Sequence, residues 1–81
     1  MIPPRISSAK ALDNYKIELT YANGEKKVYT MTKLLEHPAY SKLKNKIYFN
    51  LVKSAETTIE WPDGEDVDPN ELYDNSVSVI N

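Results

Sequence analysis

The most regular alternation of apolar and polar side chains runs from Tyr15 to Tyr21. Its odd positions hold tyrosine, isoleucine or leucine and its even positions hold lysine, glutamate or threonine, which predicts a strand with one buried face. The dipeptide Asn23-Gly24 follows, and it favours a two-residue type I′ turn because both residues accept a positive φ. The pattern therefore predicts a β-hairpin whose second strand covers residues 25–31.

A two-residue turn also predicts the register of this hairpin. Ala22 then lies opposite Glu25, and Leu19 pairs with Val28 on the buried face. Tyr29 falls on the opposite face, which is left partly open for contact with another chain. The side chains expected on this open face are Lys16, Glu18, Thr20, Lys27 and Tyr29.

Weaker patterns predict the first strand and the middle of the chain. A strand is expected over residues 5–12, after a loose lead-in at 1–4 that contains two prolines. Thr32 is placed to cap a short helix, which His37-Pro38 should end because the residue before proline disfavours helical geometry. Residues 47–52 are ambiguous between a strand and a helix end, and we expect a bend near Phe49 and then a strand to Ser54.

The last third of the chain carries stronger local signals. Residues 57–61 alternate as a strand, and Pro62-Asp63-Gly64 predicts a tight turn. Asp68-Pro69-Asn70-Glu71 combines a capping aspartate, a proline at the first helical position and the glutamate of a capping box, so it predicts a helix start. The tail, 75–81, is predicted to add an edge strand or to stay loose.

Together these elements predict one α+β domain over residues 1–81. Its small antiparallel sheet has about five strands in the order β-β-β-α-β-β-α, with one or two short helices. The 81 residues include no cysteine, which excludes disulfides and zinc–thiolate sites. No apolar run approaches the ~20 residues of a membrane span, so we expect a cytoplasmic protein without membrane contact.

Charge is distributed unevenly along the chain. Residues 1–55 hold all ten basic residues and four acidic ones, whereas residues 56–81 hold eight acidic residues and no basic one. This split indicates either a charged binding surface or two halves that fold together and offset each other. We favour the second interpretation, because the sequence pI of 5.3 is well below that of typical nucleic-acid-binding domains.

Catalytic and metal-binding patterns are weak. A calcium loop has glycine at its sixth position, and the acidic turn 63–68 does not fit this pattern whether the loop is counted from Asp63 or from Asp66. Asp66 and Asp68 are explained by roles in the turn and in helix capping. His37 is the single histidine and is expected at a helix end, near terminal carbonyls. A domain this small needs most of its apolar side chains for one core, so we expect surface binding without enzymatic activity or a cofactor.

Two sets of residues are candidates for binding. Trp61 alternates with Ile59 and is expected mainly in the core, but tryptophan and tyrosine are also enriched in binding hot spots. The candidate partner-binding residues are Tyr29, Lys27, Trp61, Asp63 and Asp66. As an alternative, the Lys42–Lys53 surface interleaves basic and aromatic residues as single-strand nucleic-acid binders do; its candidate residues are Lys42, Lys44 and Lys46.

Several segments of the chain, in the order in which they occur along it, resemble the bacterial family called domain of unknown function 2442. The most specific is Ile59-Glu60-Trp61-Pro62-Asp63-Gly64, which Asp66-Val67-Asp68-Pro69 and Leu72-Tyr73 follow. Weaker similarities are Pro4-Arg5-Ile6, Asn23-Gly24-Glu25, Leu34-Leu35 and Phe49-x-x-Val52, so the resemblance covers residues 4–74. It implies a small α+β domain; some members are fused to a helix-turn-helix, and others are encoded beside toxin-like proteins.

The residues and the resemblance lead to two functional hypotheses. The first is a non-enzymatic protein-interaction domain, an antitoxin-like or regulatory partner of a small protein encoded by a neighbouring gene. The second is a nucleic-acid-binding accessory protein that uses the Lys42–Lys53 surface. Self-association as a homodimer through an edge strand is a further expectation, because exposed ladder groups invite another chain.

Overall fold

The central hairpin, formed by β2 (Lys16–Tyr21) and β3 (Lys26–Thr30), closes through three residues. In this computed structural model, which describes residues 2–79, the Gly24 amide donates to the Tyr21 carbonyl at 3.0 Å and the Tyr21 amide donates to the Glu25 carbonyl at 2.8 Å. Gly24 has a φ of +94°, so the loop is a turn followed by a left-handed glycine bulge. The prediction of a two-residue turn is therefore wrong.

The longer loop shifts the hairpin register by one residue. Leu19 pairs with Lys27, not with Val28 as predicted, and Ile17 pairs with Tyr29. Because strand side chains alternate between the two faces, a one-residue shift moves every side chain of β3 to the other face. Lys27 and Tyr29 consequently point into the core, and Val28 points to the open face.

The hairpin lies at the centre of a four-stranded antiparallel sheet. The strand order is β1 (Ile6–Leu12), β2, β3 and then β6 (Val77–Ser78). β6 shows that the predicted tail adds an edge strand, although residues 80–81 of that tail and Met1 of the lead-in lie outside the described residues. A register shift between Ile6 and Ser8 marks a bulge in β1, which places Ile6 and Ala9 on the same face despite their odd spacing.

The segment after β3 forms short helical turns. A 3₁₀ helix covers Leu34–Glu36, a second covers Pro38–Lys44, and the α-helix α1 covers Lys46–Phe49. The first ends at His37-Pro38 as predicted, but Thr32 does not cap it. The ambiguous segment 47–52 forms the end of α1 and the turn that follows it. Asn45 caps the start of α1, since its side chain accepts from the amides of Ile47 and Tyr48 at 2.9 and 3.3 Å.

A second, two-stranded sheet packs beside β1. It consists of β4 (Lys53–Ala55) and β5 (Thr58–Glu60), and the Ile6 amide donates to the Glu56 carbonyl in the turn between them at 2.6 Å. β5 leads into the predicted turn at 62–64, where Gly64 has a φ of +95° and the Trp61 amide donates to the Glu65 carbonyl at 2.9 Å. This loop repeats the hydrogen bonding of the loop at Gly24.

The last helix, α2, covers Pro69–Asn75 and packs on the inner face of the four-stranded sheet. Asp68 caps it, since its side chain accepts from the Glu71 amide at 3.1 Å, and Pro69 takes the first helical position as predicted. The observed structure thus confirms the predicted α+β fold with a small antiparallel sheet. It differs from the prediction in having, within the described residues, six strands that are divided between two sheets. Across residues 2–79, no helix has the length and apolar character to cross a membrane.

Replacing Gly24 tests the loop that determines the hairpin register. An added Cβ would meet no atom within 4 Å, so Gly24→Ala is expected to cost about 1 kcal/mol through the positive φ alone. Gly24→Asn should cost less, since asparagine visits the left-handed region more readily. Urea unfolding of the three proteins measures the difference; equal stability of the alanine variant and the parent would contradict this account of the loop.

Candidate functional site

An open groove lies where β6 stops pairing with β3. β6 pairs with Lys27 and Val28, whereas β3 continues to Thr30, so the end of β3 borders the groove. The groove has a volume of about 570 Å³ and lies between these strands, the 3₁₀ helix at Leu34 and α2. We call it the edge groove; its lining includes Val28, Thr30, Leu34, Glu71, Asn75 and Val77.

The upper rim of the edge groove is apolar. Val28 and Val77 are register partners, so their side chains lie side by side on the same face of the sheet. Val77 is 69% exposed. Lys33, Glu71 and Asn75 add polar groups at the other side, so the groove offers apolar contact and hydrogen-bonding groups within one concave surface.

Lys27 and Tyr29, predicted to be available on the open face, are buried instead. Their exposed fractions are 8% and 4%. The Lys27 ammonium donates to the Tyr73 carbonyl at 2.7 Å and lies 3.8 Å from the centroid of the Tyr73 ring. The Tyr29 hydroxyl donates to the Glu71 carboxylate at 2.9 Å. Both residues hold α2 against the sheet and are largely buried, and Tyr29 also contributes to the lining of the edge groove.

The other three candidate partner-binding residues lie apart from the edge groove. Trp61 is 1% exposed, which confirms its expected place in the core, and its indole Nε1 donates to the Phe49 carbonyl at 2.9 Å. Asp63 and Asp66 are exposed, as expected for an acidic turn. Asp63 forms an ion pair with Lys42, and the backbone carbonyl of Asp66 accepts from the Tyr40 hydroxyl at 2.7 Å.

Among residues 2–79, two ion pairs join the basic and acidic parts of the chain. Lys42 pairs with Asp63, and its ammonium lies 4.8 Å from the centroid of the Tyr48 ring. Lys53 pairs with Glu60 at 3.6 Å. These contacts support the interpretation that the charges of the two halves partly offset each other. Of the candidate nucleic-acid residues, Lys44 and Lys46 have no carboxylate within ion-pair distance among residues 2–79.

Three tyrosine hydroxyls donate to carboxylates, and these contacts shift pKa values. Burial and the hydrogen bond to Glu71 raise the pKa of Tyr29, and burial and Glu65 raise the pKa of Tyr48 to about 12. The pKa of Glu25 is lowered, chiefly because it accepts from the Tyr73 hydroxyl and also from Asn23. The Tyr21 hydroxyl is buried without a hydrogen-bond partner, and burial raises its pKa to about 12.

Within residues 2–79, histidine, aspartate and glutamate side chains do not gather into a group of three that could hold a metal ion. The single histidine has a structural contact that differs from the prediction. Its Nδ1 accepts from the Ala39 amide at 3.2 Å, so His37 caps the following 3₁₀ helix instead of facing the carbonyls of the preceding one. Asp68 caps α2, and Asp66 is exposed.

Sequence patterns did not indicate the residues of the edge groove, because these residues come from four separate elements. The alternation of Val77 and Val79 in the tail was the one local signal for this surface. The position of Val28 beside Val77 follows from the hairpin register, which depends on the length of the loop at Gly24.

Comparison with protein families identifies one similarity that spans nearly the whole chain. The model of the family described as "Protein of unknown function (DUF2442)" matches residues 6–78. Comparison with curated proteins gives no match. Comparison with solved structures also gives no match.

The raised pKa values of the tyrosines predict a loss of stability at alkaline pH. Because the fold raises the pKa values of Tyr21 and Tyr48 to about 12, their contribution to the free energy of unfolding is complete below the unfolded value of ~10 and is lost as the pH rises through about 12. The raised pKa of Tyr29 acts in the same direction. Urea unfolding over this range, together with tyrosine absorbance, measures the effect.

Glu65→Gln keeps an acceptor for Tyr48 but removes the charge, so this variant should bring the pKa of Tyr48 closer to its ordinary value. Burial continues to act in the variant and should keep part of the shift. An unchanged absorbance titration would contradict the assigned contribution of Glu65.

Proposed function

Because the chain belongs to the DUF2442 family, whose description assigns no activity, we propose from its geometry that it is a non-enzymatic protein-interaction domain. Its binding site is the edge groove, which receives an extended segment of a partner protein. In the finer form of this proposal, the domain works in the cytoplasm as an antitoxin-like or regulatory partner of a small protein encoded by a neighbouring gene.

The observation that carries the proposal is that the sheet edge stops short beside an open groove. β6 contributes two residues, and Thr30 of β3 extends beyond the pairs that β6 makes. An extended peptide can add to such an edge through main-chain hydrogen bonds, while neighbouring pockets select its side chains. Val28 and Val77 supply an apolar contact at this position, and Glu71 and Asn75 supply polar ones.

The contacts of the candidate lysines and of the tyrosines between them give less support to the nucleic-acid alternative. Of the three candidate lysines, Lys42 is engaged by Asp63. The two tyrosines interleaved with them are half-buried, and their hydroxyls donate to internal acceptors, Tyr40 to Asp66 and Tyr48 to Glu65. Single-strand binders use accessible aromatic faces for base stacking, so the described geometry favours a protein partner.

A variant at the edge groove tests the proposal. The product of the neighbouring gene is co-expressed with the parent chain and with Val77→Lys, and the affinity is measured by calorimetry after purification. A lysine at Val77 places a charge on the apolar rim, so we expect binding to weaken by about tenfold or more. The matched control is Ile2→Lys, because Ile2 is 86% exposed and does not line the groove.

Equal affinity of Val77→Lys and the parent would reject the edge groove as the binding site. Failure of the parent to bind the neighbouring gene product at micromolar concentration would reject the antitoxin-like form of the proposal. Equal weakening by Ile2→Lys would show that added charge, and not the groove, accounts for the loss.

A further inference from the structure

A second exposed apolar pair lies at the end of α1. Ile47 is 79% exposed and Leu51 is 51% exposed, whereas the neighbouring Phe49 and Val52 are buried. Ile47 lies in α1, and Leu51 lies in the turn that follows it, where the Leu51 amide donates to the Tyr48 carbonyl at 3.0 Å. Both aliphatic side chains are therefore exposed at this end of α1.

The segment of the chain that carries this pair is basic. Residues 37–55 contain four lysines and no acidic residue. Lys42 and Lys53 form ion pairs with Asp63 and Glu60, but Lys44 and Lys46 have no carboxylate within ion-pair distance among the described residues. We call Lys44, Lys46, Ile47 and Leu51 the basic–apolar surface.

A small pocket opens beside the basic–apolar surface. Lys46 and Asn50 line it from α1 and the following turn, and its volume is about 70 Å³. Its opposite wall is the turn at 13–15, to which Asp13 contributes an acidic side chain. This turn is tied to the segment before α1 because the Tyr15 hydroxyl donates to the Lys44 carbonyl at 2.5 Å. The Tyr15 ring also contacts the Phe49 ring edge-to-face, with centroids 5.3 Å apart, so the wall is held in place.

We propose that the basic–apolar surface binds an acidic segment of a partner protein through aliphatic anchor side chains. The apolar pair supplies the contact area, the two lysines attract carboxylates around it, and the pocket accepts one small side chain. Aliphatic side chains offer no face on which bases stack, which favours a protein over a nucleic acid. Two side chains bury too little area to hold a membrane surface, where binding strength scales with buried apolar area. This surface shares no residue with the edge groove.

The test uses a synthetic peptide of alternating glutamate and leucine, with a glutamine–leucine peptide, a single-stranded RNA and anionic lipid vesicles as comparison probes. Binding to the full chain is followed by backbone amide chemical shifts at two ionic strengths. We expect the acidic peptide to shift the amides of residues 12–15 and 44–51, with an affinity that falls as salt rises. The glutamine peptide should bind at least about tenfold more weakly.

Variants separate the apolar and the charged contributions. The double variant Ile47→Ser with Leu51→Ser and the double variant Lys44→Gln with Lys46→Gln should each weaken peptide binding by about tenfold. Ile2→Ser and Lys26→Gln are matched controls on exposed residues elsewhere and should leave the affinity unchanged. Because all these side chains are exposed, the variants are expected to keep the unfolding midpoint of the parent.

Three outcomes would overturn the proposal. The first is no binding of the acidic peptide at up to about 1 mM. The second is shifts at Val28 and Val77 instead of residues 44–51, which would assign the peptide to the edge groove. The third is salt-sensitive binding of RNA or vesicles to this surface without peptide binding, which would assign it to a different class of partner.

Discussion

The position of one left-handed glycine determines which side of β3 faces the core. With Gly24 closing a three-residue loop, Lys27 and Tyr29 face α2 and Val28 faces outwards. A two-residue loop would reverse this arrangement and would bring valine towards the Glu71 carboxylate, which then would have no donor from the sheet. The attachment of α2 and the apolar rim of the edge groove therefore depend on the same local choice of loop length.

Lys27 and Tyr29 can be buried on the inner face of β3 because their ammonium and hydroxyl groups donate to acceptors on α2. The Lys27 ammonium donates to the Tyr73 carbonyl near the end of α2, where the helix dipole favours a positive charge. The Tyr73 hydroxyl in turn donates to Glu25, the residue that follows the left-handed glycine. A loop residue, a strand residue and a helix residue thus form a continuous set of contacts that fixes the hairpin end against the last helix. Loss of the Lys27 or the Tyr29 donor would remove a hydrogen bond that joins β3 to α2.

Features set by neighbouring residues could be predicted, and features set by distant ones could not. The Asp68 cap and the location of both glycine turns follow from signals within four residues, and the alternation at 15–21 identified β2. Asn23-Gly24, however, is compatible with both loop lengths, and the choice between them is stabilised by contacts with Glu71 and Tyr73, more than 40 positions later. Tyrosine and lysine are also ambiguous, since each has an apolar stem and a polar tip and can be buried or exposed. The edge groove was missed for the same reason, because its rim depends on that register.

The two exposed apolar surfaces differ in what they can recognise. In the proposed function, the edge groove recognises an extended backbone beside β3, with limited discrimination among sequences. The basic–apolar surface offers no strand edge, and its lysines and aliphatic side chains discriminate by charge and shape instead. Lys42 and Lys53 form ion pairs with carboxylates at the surface, whereas Lys44 and Lys46 have no carboxylate within ion-pair distance among the described residues. In the proposed binding, these two lysines therefore supply the charge. If one partner engages both surfaces, the second contact is intramolecular, and two weak sites then yield an affinity that neither reaches alone.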